Sequence, residues 1–133
     1  TMTMNEVFEE SLDDGFAGNL DGEGYQARIV YGAKISRDNE TGEIEIFNVS
    51  RGGEMYLPIS DYEKENFLEK GWRYGAYVLF LSNNRLKLDV IERSIRIEVN
   101  TTNNPAYLKS LKSKRVKVLE RYNNVNNLLK SIK

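Results

Sequence analysis

Apolar positions along this chain change their spacing several times, and each change marks an element. From Tyr25 to Ser36 they alternate. Ala27, Ile29, Tyr31, Ala33 and Ile35 share one face of an extended chain, while Gln26, Arg28 and Lys34 share the other. A period of two predicts a strand with one face buried. Asp38-Asn39-Glu40-Thr41-Gly42 is a cluster of turn residues, and Glu43 to Val49 reads as a second strand, giving an antiparallel hairpin over about 25–49. Arg51-Gly52-Gly53 turns the chain again. Met55 to Ile59 predicts a short edge strand, the place where Pro58, which has no amide to donate, is tolerated.

Helical signals lie on both sides of this region. Near the N-terminus Met4, Phe8 and Leu12 recur at i, i+4 spacing, with Asn5 as the expected cap, and the acidic, glycine-containing stretch Asp13 to Gly24 reads as a loop. Ser60-Asp61-Tyr62-Glu63 has the spacing of a capping box, in which the hydroxyl takes an orphan amide and the glutamate reaches back. It predicts a short helix over 60–70 that ends on Gly71 as a left-handed cap.

Residues 76–91 admit two readings. As a helix, their apolar positions fall all around the axis. As a hairpin turning at Asn83-Asn84, they sort: Leu81 faces Leu86, Leu79 faces Leu88 and Tyr77 faces Val90, all on one side. The hairpin is the expectation, extended to about 76–99. Ile95, Ile97 and Val99 alternate with the opposite parity, so a bulge is expected near Glu92 to Ser94.

Asn104-Pro105 is a helix start, with Asn as the cap and Pro in the first turn. Beyond it Leu108, Leu111, Arg115, Val118, Tyr122, Val125, Leu129 and Ile132 recur at 3,4 spacing, predicting one long C-terminal helix over 105–132. Asn123-Asn124 and Asn126-Asn127 are poor helix formers and the expected weak points. The sum is an α+β fold of two antiparallel hairpins, an intervening short helix and a long C-terminal helix. With no repeat and no linker, 1–133 reads as a single domain. The predicted order of elements resembles that of the small dimeric chaperones of type III secretion systems. That likeness is architectural, without a shared motif, and fold alone does not assign function.

Composition narrows the chemistry. The chain has neither cysteine nor histidine. Disulfides, thiolate nucleophiles, serine–histidine triads and His- or Cys-ligated metal sites are therefore excluded. No catalytic motif, metal site or cofactor site is recognised, so a non-enzyme is expected, with a histidine-independent enzyme that runs on paired carboxylates as the remaining alternative. Asn19, Asp21, Glu23 and Gly24 resemble the front of a calcium loop, but position 12, where the closing carboxylate belongs, is Val30. Gly22, Gly24 and Ala27 match a dinucleotide fingerprint that here precedes a strand instead of opening a helix. Glu43 and Glu45 read as a solvated strand face. The longest apolar run, Ala76 to Leu81, is far short of a membrane span, and the acidic N-terminus lacks the features of a signal peptide, so a cytoplasmic setting is expected. Fourteen asparagines, with many Lys, Ile and Tyr, point to an AT-rich coding genome, such as that of a low-GC bacterium or its phage.

Charge is divided along the chain. Residues 1–70 carry 16 acidic and 6 basic side chains, and residues 71–133 carry 4 and 13. Such a division steers partners when it reaches the surface, or is neutralised when the halves pack together. Two interaction readings follow. In the first, the C-terminal seam at Leu111, Arg115, Val118, Tyr122 and Val125 binds a protein partner or a second copy, unless the fold's own core covers it. In the alternative, Trp72, Arg73, Lys112, Lys117 and Arg121 form a nucleic-acid surface of a cation-flanked aromatic and helix cations. Lys112, Lys114 and Lys117 point in different directions on a helix, so no tight basic stripe is expected.

Overall fold

A computed structural model describes residues 1–13, 31–49, 57–101 and 104–132. The fold is α+β: four helices and a three-stranded antiparallel sheet. In order they are α1 (Met4–Asp13), β1 (Ala33–Arg37), β2 (Ile44–Asn48), β3 (Leu57–Pro58), α2 (Asp61–Lys70), α3 (Trp72–Thr101) and α4 (Pro105–Lys130). The chain divides into two compact units, residues 1–80 and residues 81–131. The boundary falls inside α3, where neither glycine, proline nor a polar linker marks it.

In the first unit the sheet is a meander, β1-β2-β3. β1 and β2 pair from Ala33↔Asn48 to Arg37↔Ile44, and β3 adds Phe47↔Pro58 and Asn48↔Leu57. Pro58 thus sits on an edge strand, as its missing amide requires. The hairpin turn is held by Asp38, whose carboxylate accepts the amides of Glu40 (2.8 Å) and Thr41 (2.9 Å), and Gly42 takes φ 74°. Those two amides hold the Asp38 carboxyl below its usual range. The described strand begins at Ala33, after Gly32 at φ 73°. The earlier part of the expected strand, the calcium-loop and dinucleotide look-alikes, and the Arg51–Gly53 turn lie outside the described residues.

Helix α1 is capped by Thr3, not Asn5. The Thr3 hydroxyl accepts the Glu6 amide and the Glu6 carboxylate accepts the Thr3 amide, both at 3.1 Å. Asn5 instead accepts from Arg37 (2.7 Å), whose guanidinium also reaches Glu9 (3.0 Å) and lies over the Phe8 ring. α2 has the predicted capping box between Ser60 and Glu63, and ends on Gly71 at φ 95°. A Cβ on Gly71 would collide with the Glu10 carboxylate, and one on Gly75 would collide with the Phe67 ring. Glu10 approaches so closely because it accepts the amide of Trp72 at 2.9 Å, placing a negative charge at the amino end of α3. The core gathers Val7, Phe8, Ala33, Ile35, Ile46, Phe67, Trp72, Ala76, Leu79 and their neighbours.

The expected hairpin over 76–99 is not formed. Residues 72–101 are one 30-residue helix, and Asn83-Asn84 lies within it. Leu88, Ile91 and Ile95 are buried at 3,4 spacing, while Leu86 and Val90, which the hairpin would have placed beside Leu88, are exposed. Two apolar stripes on opposite sides of a helix mimic alternation when read at a period of two. The parity break assigned to a bulge near Glu92 to Ser94 is the footprint of the 3.6-residue period. With this hairpin gone, the element order no longer matches that of the type III secretion chaperones.

The second unit is a pair of helices joined by residues 102–104. Asn104 caps α4, its side chain accepting the Tyr107 amide at 3.1 Å, with Pro105 in the first turn. Leu88, Ile91 and Ile95 of α3 form a buried cluster with Val118 of α4, and Leu108, Leu111 and Tyr122 pack against it. The asparagine pairs do not interrupt α4, which ends at Lys130. No helix among the described residues is long and apolar enough to cross a membrane.

Candidate interaction surfaces of the helical pair

A two-helix unit has one mutual face, and everything else meets solvent or a partner. The seam predicted on α4 supplies that face. Val118 and Val125 are buried, and Leu111, Arg115 and Tyr122 are half-buried. Val118, Leu111 and Tyr122 touch the α3 cluster, so these three serve the unit's own core. The polypeptide itself thus occupies much of the seam that sequence reasoning assigned to a partner.

An exposed apolar row lies on α3. Leu86, Val90 and Ile97 are 67%, 57% and 54% exposed. They stand at i, i+4 and i+11, with Arg93 at i+7, and so form a stripe along one side of the helix. At 100° per residue this stripe is about 160° from the Leu88–Ile91–Ile95 seam. Sequence reasoning missed it because the hairpin merged it with the seam. A test of the segment against 3,4 spacing, applied separately to each set of apolar residues, would have separated the two stripes. On α4, Val116 and Leu119 are also exposed, without an apolar row to join.

The nucleic-acid residues proposed from sequence are dispersed. Trp72 belongs to the first unit and is fully buried, so its ring has no face free for a base. Arg73 is exposed and lies over that ring at 5.6 Å, while Tyr77 packs edge-on against Tyr31. Lys112, Lys117 and Arg121 are exposed on α4 of the second unit. Lys112 points to a different side from the other two.

One basic row does form. Lys114, Lys117 and Arg121 stand at i, i+3 and i+7 on a single side of α4, which the comparison of Lys112, Lys114 and Lys117 alone had hidden. Lys87 adjoins that row from α3: it feels the charges of Lys114 and Arg121, and the adjacent Leu88 shares a buried cluster with Val118. The protein around Lys87 and the charges of Lys114 and Arg121 lower its pKa from the ordinary lysine value. None of the four cations forms an ion pair with a described carboxylate. The exposed pair Arg85–Asp89 (3.8 Å) lies away from them on the other flank of α3.

The structural units follow the charge division. Residues 81–133 carry 12 basic and 4 acidic side chains, a net of +8, and residues 1–80 carry 7 and 16, a net of −9. Among the described residues no group of three or more acidic side chains is placed to hold a metal ion. No family model, curated protein or solved structure matches the chain.

Proposed function

We propose that the protein is a non-enzymatic binding module whose helical pair docks another protein in the cytoplasm. The exposed stripe of Leu86, Val90 and Ile97 carries this reading. Three large aliphatic side chains on one helix face, each more than half exposed, are the anchors an amphipathic partner helix uses. Charge selects the partner. Each second unit carries +8, so stripe-to-stripe pairing of two copies brings like charges together, with Arg93 inside the contact. A partner helix with acidic flanks meets Arg93 favourably.

The experiment compares the native chain with Leu86→Glu/Val90→Glu in affinity capture from a host lysate. The affinity for the captured protein is then measured with purified components. Both exposed positions accept a carboxylate without unfolding the pair, which circular dichroism verifies. The expected result is a protein retained by the native chain and bound at least tenfold more weakly by the variant. The reading is overturned if both forms retain the same proteins with equal affinity. It is equally overturned if sedimentation shows a dimer of the native chain that the variant abolishes.

A further inference from the structure

We propose that Lys87, Lys114, Lys117 and Arg121 form a binding site for the phosphate backbone of a nucleic acid. This site lies on a different side of the helical pair from the Leu86–Val90–Ile97 stripe and does not depend on it.

The argument begins with placement. Lys114, Lys117 and Arg121 span seven residues of α4, about 10 Å at 1.5 Å per residue. Lys87 lies near that row, within reach of the charges of Lys114 and Arg121, and the adjacent Leu88 shares a buried cluster with Val118. Four like charges gathered on two packed helices repel one another, and desolvation, with the charges of Lys114 and Arg121 adding to it, lowers the Lys87 pKa from its ordinary value. Nothing among the described residues neutralises them by direct ion pairing. A polyanion that spans the row relieves this repulsion and releases its own condensed counterions.

The composition of the surface selects the kind of polyanion. Protein interfaces are built around an apolar or aromatic anchor and are depleted in lysine. Three of these four cations are lysines, and Ser110, Ser113 and Asn124 are the exposed neighbours along the same side of α4. Small hydroxyl and amide side chains beside lysine and arginine are the usual contacts to phosphate and sugar oxygens. Glu120 is the one acid on this outer flank, beside Lys117. No base-reading group accompanies the row, so backbone contacts without sequence preference are expected.

The test is fluorescence anisotropy with a labelled DNA duplex of about 20 base pairs over about 50–200 mM salt. Three proteins are compared: the native chain; Lys87→Gln/Lys114→Gln/Arg121→Gln; and a charge-matched control, Lys109→Gln/Lys112→Gln/Lys130→Gln, on other sides of α4. Circular dichroism confirms that all three keep their helix content. Four phosphate contacts predict a log–log salt slope of about −3.6 and a loss of affinity of about 150-fold across that range. The first variant lowers the magnitude of the slope by about 2.7, and the control leaves it unchanged. Absence of binding by the native chain at the lowest salt overturns the proposal. So does a control that loses as much as the first variant, since diffuse charge then explains the binding. Displacement of the DNA by poly-glutamate at equal charge concentration also overturns it, in favour of an acidic protein ligand.

Discussion

One helix serves two different environments. Over its first nine residues, α3 is enclosed: Trp72, Gly75, Ala76, Tyr77, Leu79 and Phe80 are buried, on several sides of the axis. From Leu81 onward one row is covered, at Leu88, Ile91 and Ile95, and large aliphatic residues on the opposite side stay in solvent. The first stretch is the more apolar, seven residues of nine against eight of 21, yet composition does not say which of the eight are covered. What differs is how many neighbours the fold provides. The first unit meets its segment with α1 through Glu10, with α2 through Phe67 and with the Tyr31 ring, whereas the second has a single helix to offer, and a single helix covers a single face. An apolar residue beyond that face is available to something outside the unit.

The comparison can be tested by removing side chains of similar chemistry from each environment. Trp72→Ala takes the largest fully buried side chain out of the enclosed segment. It is expected to cost about 3–5 kcal/mol in urea unfolding followed by circular dichroism. Leu88→Ala, in the covered row, is expected to cost about 2–5 kcal/mol. Leu86→Ala, two residues earlier, is expected to cost about 0.5 kcal/mol or less, because an exposed side chain gives up little on truncation. In the hairpin pairing these leucines would share a face and show similar losses. Equal costs for the pair would therefore refute the single-row description.

Gly75→Ala tests crowding instead of cavity formation. The added methyl would enter the space of the Phe67 ring, so the ring or the helix must shift, at an expected cost of about 1–3 kcal/mol by the same unfolding measurement. Unchanged stability would mean that α2 and the start of α3 are packed less closely than described. The same substitution at Ser113, exposed on α4, is expected to be neutral or slightly stabilising, as alanine is the better helix former.

Local chemistry was the legible part of the sequence. The first hairpin, the Ser60–Glu63 capping box, Pro58 on an edge and the Asn104-Pro105 helix start all depend on a few adjacent residues, and each takes its expected place; Gly71 ends α2 at positive φ, but with ψ 176° in place of the left-handed helical value. Residues 76–99 were misread because their pattern is the sum of two stripes, one of which no part of the described unit covers. Solvent-exposed leucine, valine and isoleucine break the assumption that apolar means buried, and with it the period analysis. The candidate surfaces suffered from the same error. The seam was found correctly as a row, but its cover, a helix in place of a sheet, could not be seen once α3 was drawn as strands. The Lys114–Lys117–Arg121 row was within reach of simple helical geometry, whereas its fourth member, Lys87, depends on a contact between helices.

Tyr31 supplies the mildest probe of the enclosed segment. Its ring packs edge-on against Tyr77, with centroids 5.0 Å apart, and against Phe80 at 6.2 Å. Burial, helped by a hydrogen bond with Tyr77, pushes its phenol up to about 12 from an ordinary value near 10. In the unfolded chain the phenol loses its proton above pH about 10, while the folded protein retains it to about 12, so the folded state binds more protons in that window. Linkage then requires stability to fall as pH rises between these values, with the full contribution present below the lower one. Tyr31→Phe removes this contribution while keeping the ring contacts. Urea midpoints of the native chain and the variant, measured from about pH 9 to about 11.5, should therefore converge or cross as the native protein loses its advantage. Parallel curves would show that the phenol ionises as it does in water, and that the first nine residues of α3 are less enclosed than their burial indicates.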